Sequence, residues 1–282
     1  MSDKTQSDER RLHQEANEAG KPSWQEAARE MARNAALRED RIRMGWESTE
    51  ERMPPFAYRW EHVQQVVRYG HWLLSQVEAD TDIVIAACWL HDVKKLEPNH
   101  AQRGAAFART FLAKTDFPAH KIESVALAIE QHKGLLRRAE TEWNGSQAFR
   151  PAPPLEPIES ALMWDADKLS KIGPIALLHS YSANLLSLQK AGKSITTEQI
   201  IQQNQQWLKI VVPKIIASFN TLVAQHKAIQ LHAAYERFLQ SAEQTLALLL
   251  PSSSHNEVAY IGGVPISRTI KETIGDVVQR GA

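Results

Sequence analysis

An adjacent histidine and aspartate, His91-Asp92, close an apolar run from Ile83 to Leu90, and a lysine pair, Lys94-Lys95, follows. A neutral imidazole and a carboxylate side by side can hold one divalent cation when a helix ends there and both side chains turn inward. Mixed nitrogen and oxygen donors of this kind suit Mn, Fe, Co, Ni or Zn better than Ca. A lone His-Asp pair is more often a surface or capping feature, so the case rests on its company. His62 stands upstream in Arg59-Trp60-Glu61-His62. Downstream come His100 in His-Ala-Gln-Arg-Gly-Ala, His132 in Gln131-His132-Lys133-Gly134, and the aspartates of Trp164-Asp165-Ala166-Asp167-Lys168-Leu169. Asp165 and Asp167 are two apart and do not share a helix face, so one of them at most joins the others.

The order His, His-Asp, His, His, Asp on successive helices resembles the HD-domain superfamily of metal-dependent phosphohydrolases, over about Tyr58 to Ile175. The neighbours fit as well: Arg59 lies three before the first histidine, Lys95 three after Asp92, and the Asp-Ala-Asp-Lys-Leu string is similar to one in a bacterial branch of that superfamily. The resemblance implies an all-α HD-domain helical bundle with N- and C-terminal helical extensions. It implies a metal held by His62, His91, Asp92 and Asp167, with Asp165 accepting a hydrogen bond that orients a metal-bound histidine. The string from His100 to Ala105 is similar to one in binuclear relatives that cleave dinucleoside polyphosphates, where the histidine reaches a second metal. His100 and His132 would hold that second ion or, without it, phosphate or a water. Those relatives often carry a further histidine where Lys133 stands here, which leaves one ion or two open, among Mn, Fe, Co, Ni, Zn and Mg.

The implied chemistry is hydrolysis of a phosphate ester or anhydride in a nucleotide-like small molecule. Asp92 would bind metal and orient the attacking water, with Lys95 beside it. Arg59, Lys95 and Lys168 would offset the phosphate charge, and Arg137, Arg138 and Arg150 are further candidates. Two other readings stand: a two-iron oxygenase of the same superfamily, and a non-catalytic module that senses a metal or ligand.

Helices must position these groups. Ser23, with Glu26 at the capping-box place, opens a helix to about Met44, with Ala27, Met31 and Ala35 as its apolar stripe. A helix from Tyr58 carries His62. Asp80, Thr81 and Asp82 start a buried helix that ends at His91 and Asp92. Others run from His100 to about Ala113, from Ala119 to Gln131, from Pro157 through Leu169, and from Ile175 to Lys190. Thr196 and Gln199 make a capping box for a long helix to about His226, kinked at Pro213; another helix, or its continuation, runs to Leu250. The loop from Leu135 to Pro157 is long enough to suggest a role over the substrate. The expected divisions are a polar tail and arm over 1–55, the metal-binding core over 56–192, packing helices over 193–250, and a linker and tail over 251–282, with an amphipathic piece near Ile266 to Val278.

Composition limits the setting. The 33 basic and 33 acidic residues balance, so no basic field points to nucleic acid. Hydrophobic residues make up 43% of the chain and charged ones 23%, as in ordinary globular proteins. The single cysteine, Cys88, forms no internal disulfide and fits a reducing cytoplasm. No apolar run reaches membrane-spanning length. A homo-oligomer is left open.

Overall fold

The computed structural model describes residues 20–47, 52–54, 56–139, 149–179, 181, 188, 191–249, 260–261 and 264–265. The expected polar lead over residues 1–19, the middle of the long loop including Trp143 and Gly145, most of the helix expected after Ile175, and the linker and amphipathic tail piece lie outside them. The chain divides into two units, Met1–Leu239 and Gln240–Ala282. In the second, a two-residue hairpin pairs β1 (Tyr260–Ile261) with β2 (Val264–Pro265). Among the described residues the site lies in the first, which is helical.

The central element is α3 (Thr81–Leu90); α1 is Trp24–Arg43 and α2 is Tyr58–Leu74. Asp80 caps α3, its Oδ1 accepting from the backbone of Asp82 at 3.0 Å and Ile83 at 3.3 Å. Ile83–Cys88 and Leu90 are all buried, so the body of α3 is covered nearly all round and held from several sides. It packs on α1, on α2, on α5 (Ile122–Gln131) and on α6 (Ile158–Leu169). Gly70 permits the α2 contact, since a Cβ there would meet Cys88 Sγ at 2.9 Å. Gly104, in α4 (His100–Leu112), does the same beside the site: a Cβ would sit 3.3 Å from the His91 carbonyl and 3.2 Å from Ile129. A 3-10 turn, Ala119–Lys121, leads into α5.

Local sequence and tertiary context disagree in three places. Ser23 stands at the start of α1 but makes no side-chain cap; Asp116 accepts from the Trp24 N–H instead, at 2.7 Å. The buried stripe of α1 is Ala28, Ala32 and Ala36, one residue on from the expected one, with Met31 packed at its edge. The long C-terminal helix is broken rather than kinked, into α7 (Thr197–Ile210), α8 (Val212–Ala217) and α9 (Leu222–Leu249). Pro213 lies in the first turn of α8, where its missing N–H costs nothing. The Thr196–Gln199 capping box at the head of α7 is present. Among the described residues no helix is long and apolar enough to cross a membrane.

The second break, at Ser218–Thr221, is held by Asp165. One carboxylate oxygen accepts from the Asn220 backbone and side-chain amides, at 2.9 and 2.8 Å. The other accepts from the Thr221 N–H at 3.0 Å and hydroxyl at 2.8 Å. Asp165 therefore orients no histidine, contrary to expectation: all its acceptor capacity closes the joint between α6 and the start of α9. Its side chain is fully buried, which pushes its pKa up to about 6 against the pull of those bonds. Replacing it by asparagine aims an amide at donors. Asp165→Asn should lower unfolding stability by about 1–3 kcal/mol, read as a urea midpoint, while metal uptake stays unchanged.

Candidate metal centre

Four histidines bring Nε2 to one carboxylate, and three of them do so with Nδ1 held by a hydrogen bond. His91 follows the last residue of α3, and its Nδ1–H donates to the Cys88 carbonyl at 2.9 Å. His132 follows α5, and its Nδ1–H donates to the Ile129 carbonyl, also three residues back. A carbonyl only accepts, so each ring carries a proton on Nδ1, and in its neutral form leaves Nε2 bare. Neither Nε2 has a hydrogen-bond partner, although both are buried. His62, in the second turn of α2, follows suit through Ser170. That hydroxyl gives its proton to the Asp167 carbonyl at 2.6 Å, so it accepts from His62 Nδ1, 3.0 Å away. His100 opens α4 and accepts on Nε2 from Lys95 Nζ at 3.3 Å.

Asp92 stands in the middle. Its Oδ2 lies 3.7 Å from His62 Nε2 and 3.4 Å from His91 Nε2. Its Oδ1 lies 3.7 Å from His100 Nε2 and 3.5 Å from His132 Nε2. Each carboxylate oxygen thus faces its own histidine pair, acceptor towards acceptor, an arrangement that a cation makes favourable and that lysine ammoniums already approach, Lys171 at His62 Nε2 and Lys95 at His100 Nε2. Two triads, His62–His91–Asp92 and Asp92–His100–His132, each bring one donor atom per residue within 4.8 Å of the others. The residues fit a divalent transition ion, and the shared carboxylate offers one oxygen to each triad. The missing histidine at Lys133 does not prevent the second triad from forming. Asp167 lies beside the first, its Oδ1 3.4 Å from His62 Nε2 and without a hydrogen bond.

Burial sets the protonation states. It pushes His62 and His132 below the ordinary imidazole value, and His100 down to about 4, where the nearby Lys95 charge adds to it. Burial alone would raise Asp92, but His91, Arg59 and Lys95 hold it well below the usual carboxylate range. Asp167 is likewise held low against its burial, chiefly by Lys168 and Lys171. Neutral imidazoles and ionised carboxylates are the forms that bind metal.

The surrounding cations divide into committed and open. Arg59 is buried, its fork shared between Asp92 and Glu39, with the Glu39 contact at 2.9 Å. Asp40 accepts from the Arg59 N–H at 3.1 Å. The arm helix α1 therefore fixes Arg59, which fixes Asp92. Lys168 was expected to meet substrate phosphate. It is instead buried, donating to the His132 carbonyl at 3.1 Å and to Asp167, so it braces the site from within. Arg137 is also spent internally, donating to the Ser218 carbonyl at 2.9 Å and to that of Pro153. Lys95 and Lys171 keep about a third of their side-chain surface, 31% each. Lys95 Nζ is 3.1 Å from Asp92 Oδ1, and Lys171 Nζ is 3.3 Å from Asp167 Oδ1.

Sequence reasoning missed Glu39, Asp40, Ser170 and Lys171. The acids of α1 carry no signal, being two among many charges on an Arg- and Glu-rich helix. Lys171 did carry one, standing four residues after Asp167, the spacing of a helical ion pair.

Residues 59–172, which include all six His and Asp residues of the cluster, match the HD domain family model. No curated protein matches the chain. An HD-superfamily hydrolase from Bacillus thuringiensis shares the fold, with a TM-score of 0.51 at 16% identity over 80% of this chain and 99% of that one. A Lactobacillus plantarum protein gives a TM-score of 0.48 at 20% identity over 80% and 97%. Bacillus subtilis YpgQ in complex with ADP gives 0.47 at 16% identity over 66% and 88%.

The ring assignments are measurable. In metal-free protein followed through a pH titration, neutral His132 should carry its proton on Nδ1 in imidazole nitrogen spectra and become charged only at lower pH than an ordinary histidine. A neutral ring protonated on Nε2, or titration at or above the ordinary range, would contradict the ligand-ready state described above.

Proposed function

We propose that this chain is a metal-dependent phosphohydrolase that cleaves a phosphate ester or anhydride bond of a small, nucleotide-like molecule. The observation that carries the reading is Asp92, whose two oxygens each face a separate pair of histidine Nε2 atoms, one of each pair without a hydrogen-bond partner. The HD domain match over the same residues supports it.

His62, His91 and Asp92 would hold one ion, with Asp167 beside them; Asp92, His100 and His132 would hold a second. A divalent ion with such ligands lowers the pKa of its water toward neutrality and draws in a phosphoryl oxygen. The protein's own contribution is positional and electrostatic. Arg59, tied to Glu39, keeps Asp92 in place and ionised. Lys95 offers a cation on the open side of Asp92, where phosphoryl charge grows during transfer. Lys168 anchors Asp167 and the His132 backbone together, so the two halves of the cluster keep their spacing. Burial of the rings keeps bulk water from competing for the same positions.

The test uses metal-stripped protein reloaded separately with Mn, Fe, Co, Ni, Zn or Mg, assayed for phosphate and pyrophosphate release from a panel of nucleotides. Turnover should depend on the metal and fall about 100-fold or more in a His91→Ala, Asp92→Ala double variant, at or beyond the loss typical of disturbing a metal's supporting residues. Tight iron loading with oxygen uptake and no phosphate release would replace this reading by an iron oxygenase. Failure to bind any of these metals would remove the site altogether.

A further inference from the structure

A cavity of about 390 Å³ opens directly beside the cluster. That is near the lower end of the range for small-molecule sites, about 300–1,000 Å³. Its inner wall is the edge of the metal centre: His62, Arg59, Ser170 and Lys171. Lys171 stands at the junction, with Nζ 3.2 Å from His62 Nε2 and 3.3 Å from Asp167 Oδ1. Its outer wall is different in kind. Tyr58, His179, Trp207 and Tyr235 supply ring surface, and Gln203 and Asn204 supply amides. None of these six carries a formal charge at neutral pH: burial pushes His179 down to about 4 and Tyr58 up to about 12. Tyr235 donates to Asn204 Oδ1 at 2.6 Å, and Asn204 Nδ2 donates to the Ile200 carbonyl at 2.8 Å, so that part of the wall is preformed.

We propose that this cavity seats the organic part of a compact ester with a single phosphoryl group, which lies against Lys171 and the metal centre while a ring rests on Trp207. The proposal builds on the phosphohydrolase reading and narrows it to monoesters. One phosphoryl group meets Lys171 and the bound metal. A second or third, carried into the cavity, would face rings and amides, with no further cation among the described lining residues to offset it. Arg59 does not fill that need, because Glu39 and Asp92 already take its fork. Unpaired charge on such a wall is costly, whereas a planar ring is well served by it.

The experiment is calorimetric titration of the metal-loaded full chain with two non-hydrolysable probes. One is the phosphonate isostere of adenosine 5′-monophosphate, with carbon in place of the bridging ester oxygen; the other is a methylene analogue of ATP. The monophosphate isostere should bind at least ten-fold tighter than the triphosphate analogue. Gln203→Glu, which puts a charge into the cavity from an exposed position, and Trp207→Ala should each weaken the isostere ten-fold or more. Arg109→Met, on a distant surface ion pair with Glu123, should not. Equal or tighter binding of the triphosphate analogue would overturn the proposal, as would unchanged isostere affinity in both cavity variants. Isostere binding that these variants abolish, with no phosphate released from any ester, would uphold the cavity and defeat the phosphohydrolase reading. Phosphate release from ATP with a KM that neither variant moves would do the reverse.

Discussion

The rest of this structure depends on keeping one carboxylate ionised in the interior. Asp92 is buried among four imidazoles, and a buried charge persists only when it is paired and hydrogen-bonded. Two cations answer it from opposite sides, Arg59 on Oδ2 and Lys95 on Oδ1. Arg59 is itself buried and needs a second anion, which Glu39 supplies from α1. The chain of charges therefore runs outward from the site to the arm helix. That gives α1 a reason to pack where it does beyond its alanine stripe. It also means that a residue twenty positions before Arg59 in sequence shares in holding the site.

The site lies at helix ends for a reason that backbone chemistry supplies. The last carbonyls of a helix lack intrahelical partners. A histidine placed just after α3 or α5 uses a carbonyl three residues back to fix its Nδ1 proton, and so turns its Nε2 lone pair away from the helix. One hydrogen bond satisfies the helix and chooses the tautomer. Gly104 lets α4 approach the backbone of His91, which brings His100 into reach of the same carboxylate. The convergence of four nitrogens is thus a packing result, built from where two helices stop, where a third begins and where the second turn of a fourth passes.

Much of this was legible in sequence because ligand-type residues at helix ends stand out against apolar runs. The run Ile83–Leu90 reads as buried, and His91-Asp92 can only be inside if that helix is. The all-α class and the limits of most helices follow from periodicity and caps. What periodicity cannot show is which polar residues face inward. Glu39 and Asp40 look solvated on an Arg- and Glu-rich helix, and only the tertiary position of Arg59 makes them interior. Lys168 looks like a substrate contact because it follows Asp167; its burial against the His132 carbonyl depends on how α6 meets the end of α5. The cavity beside the cluster draws on α2, α7 and α9 and the turn after α6, elements far apart in sequence, so no local pattern announces it.

The pair Asp165 and Asp167 shows how one helix serves both fold and site. Two residues apart on α6, they point to different sides, as helical geometry requires. Asp167 faces His62, while Asp165 takes the backbone and side chains of Asn220 and Thr221. Both are aspartates, and burial pushes both upward, yet their neighbours part them: Asp165, bound to neutral donors, is raised to about 6, whereas Asp167, beside Lys168 and Lys171, is held low against its burial. The joint that Asp165 closes sets where α9 begins. Tyr235, further along α9, then reaches Asn204 on α7 and completes the uncharged wall of the cavity. Through α6, the position of that wall is tied to the position of the metal centre. The spacing between the two is therefore set through one helix rather than by a loop.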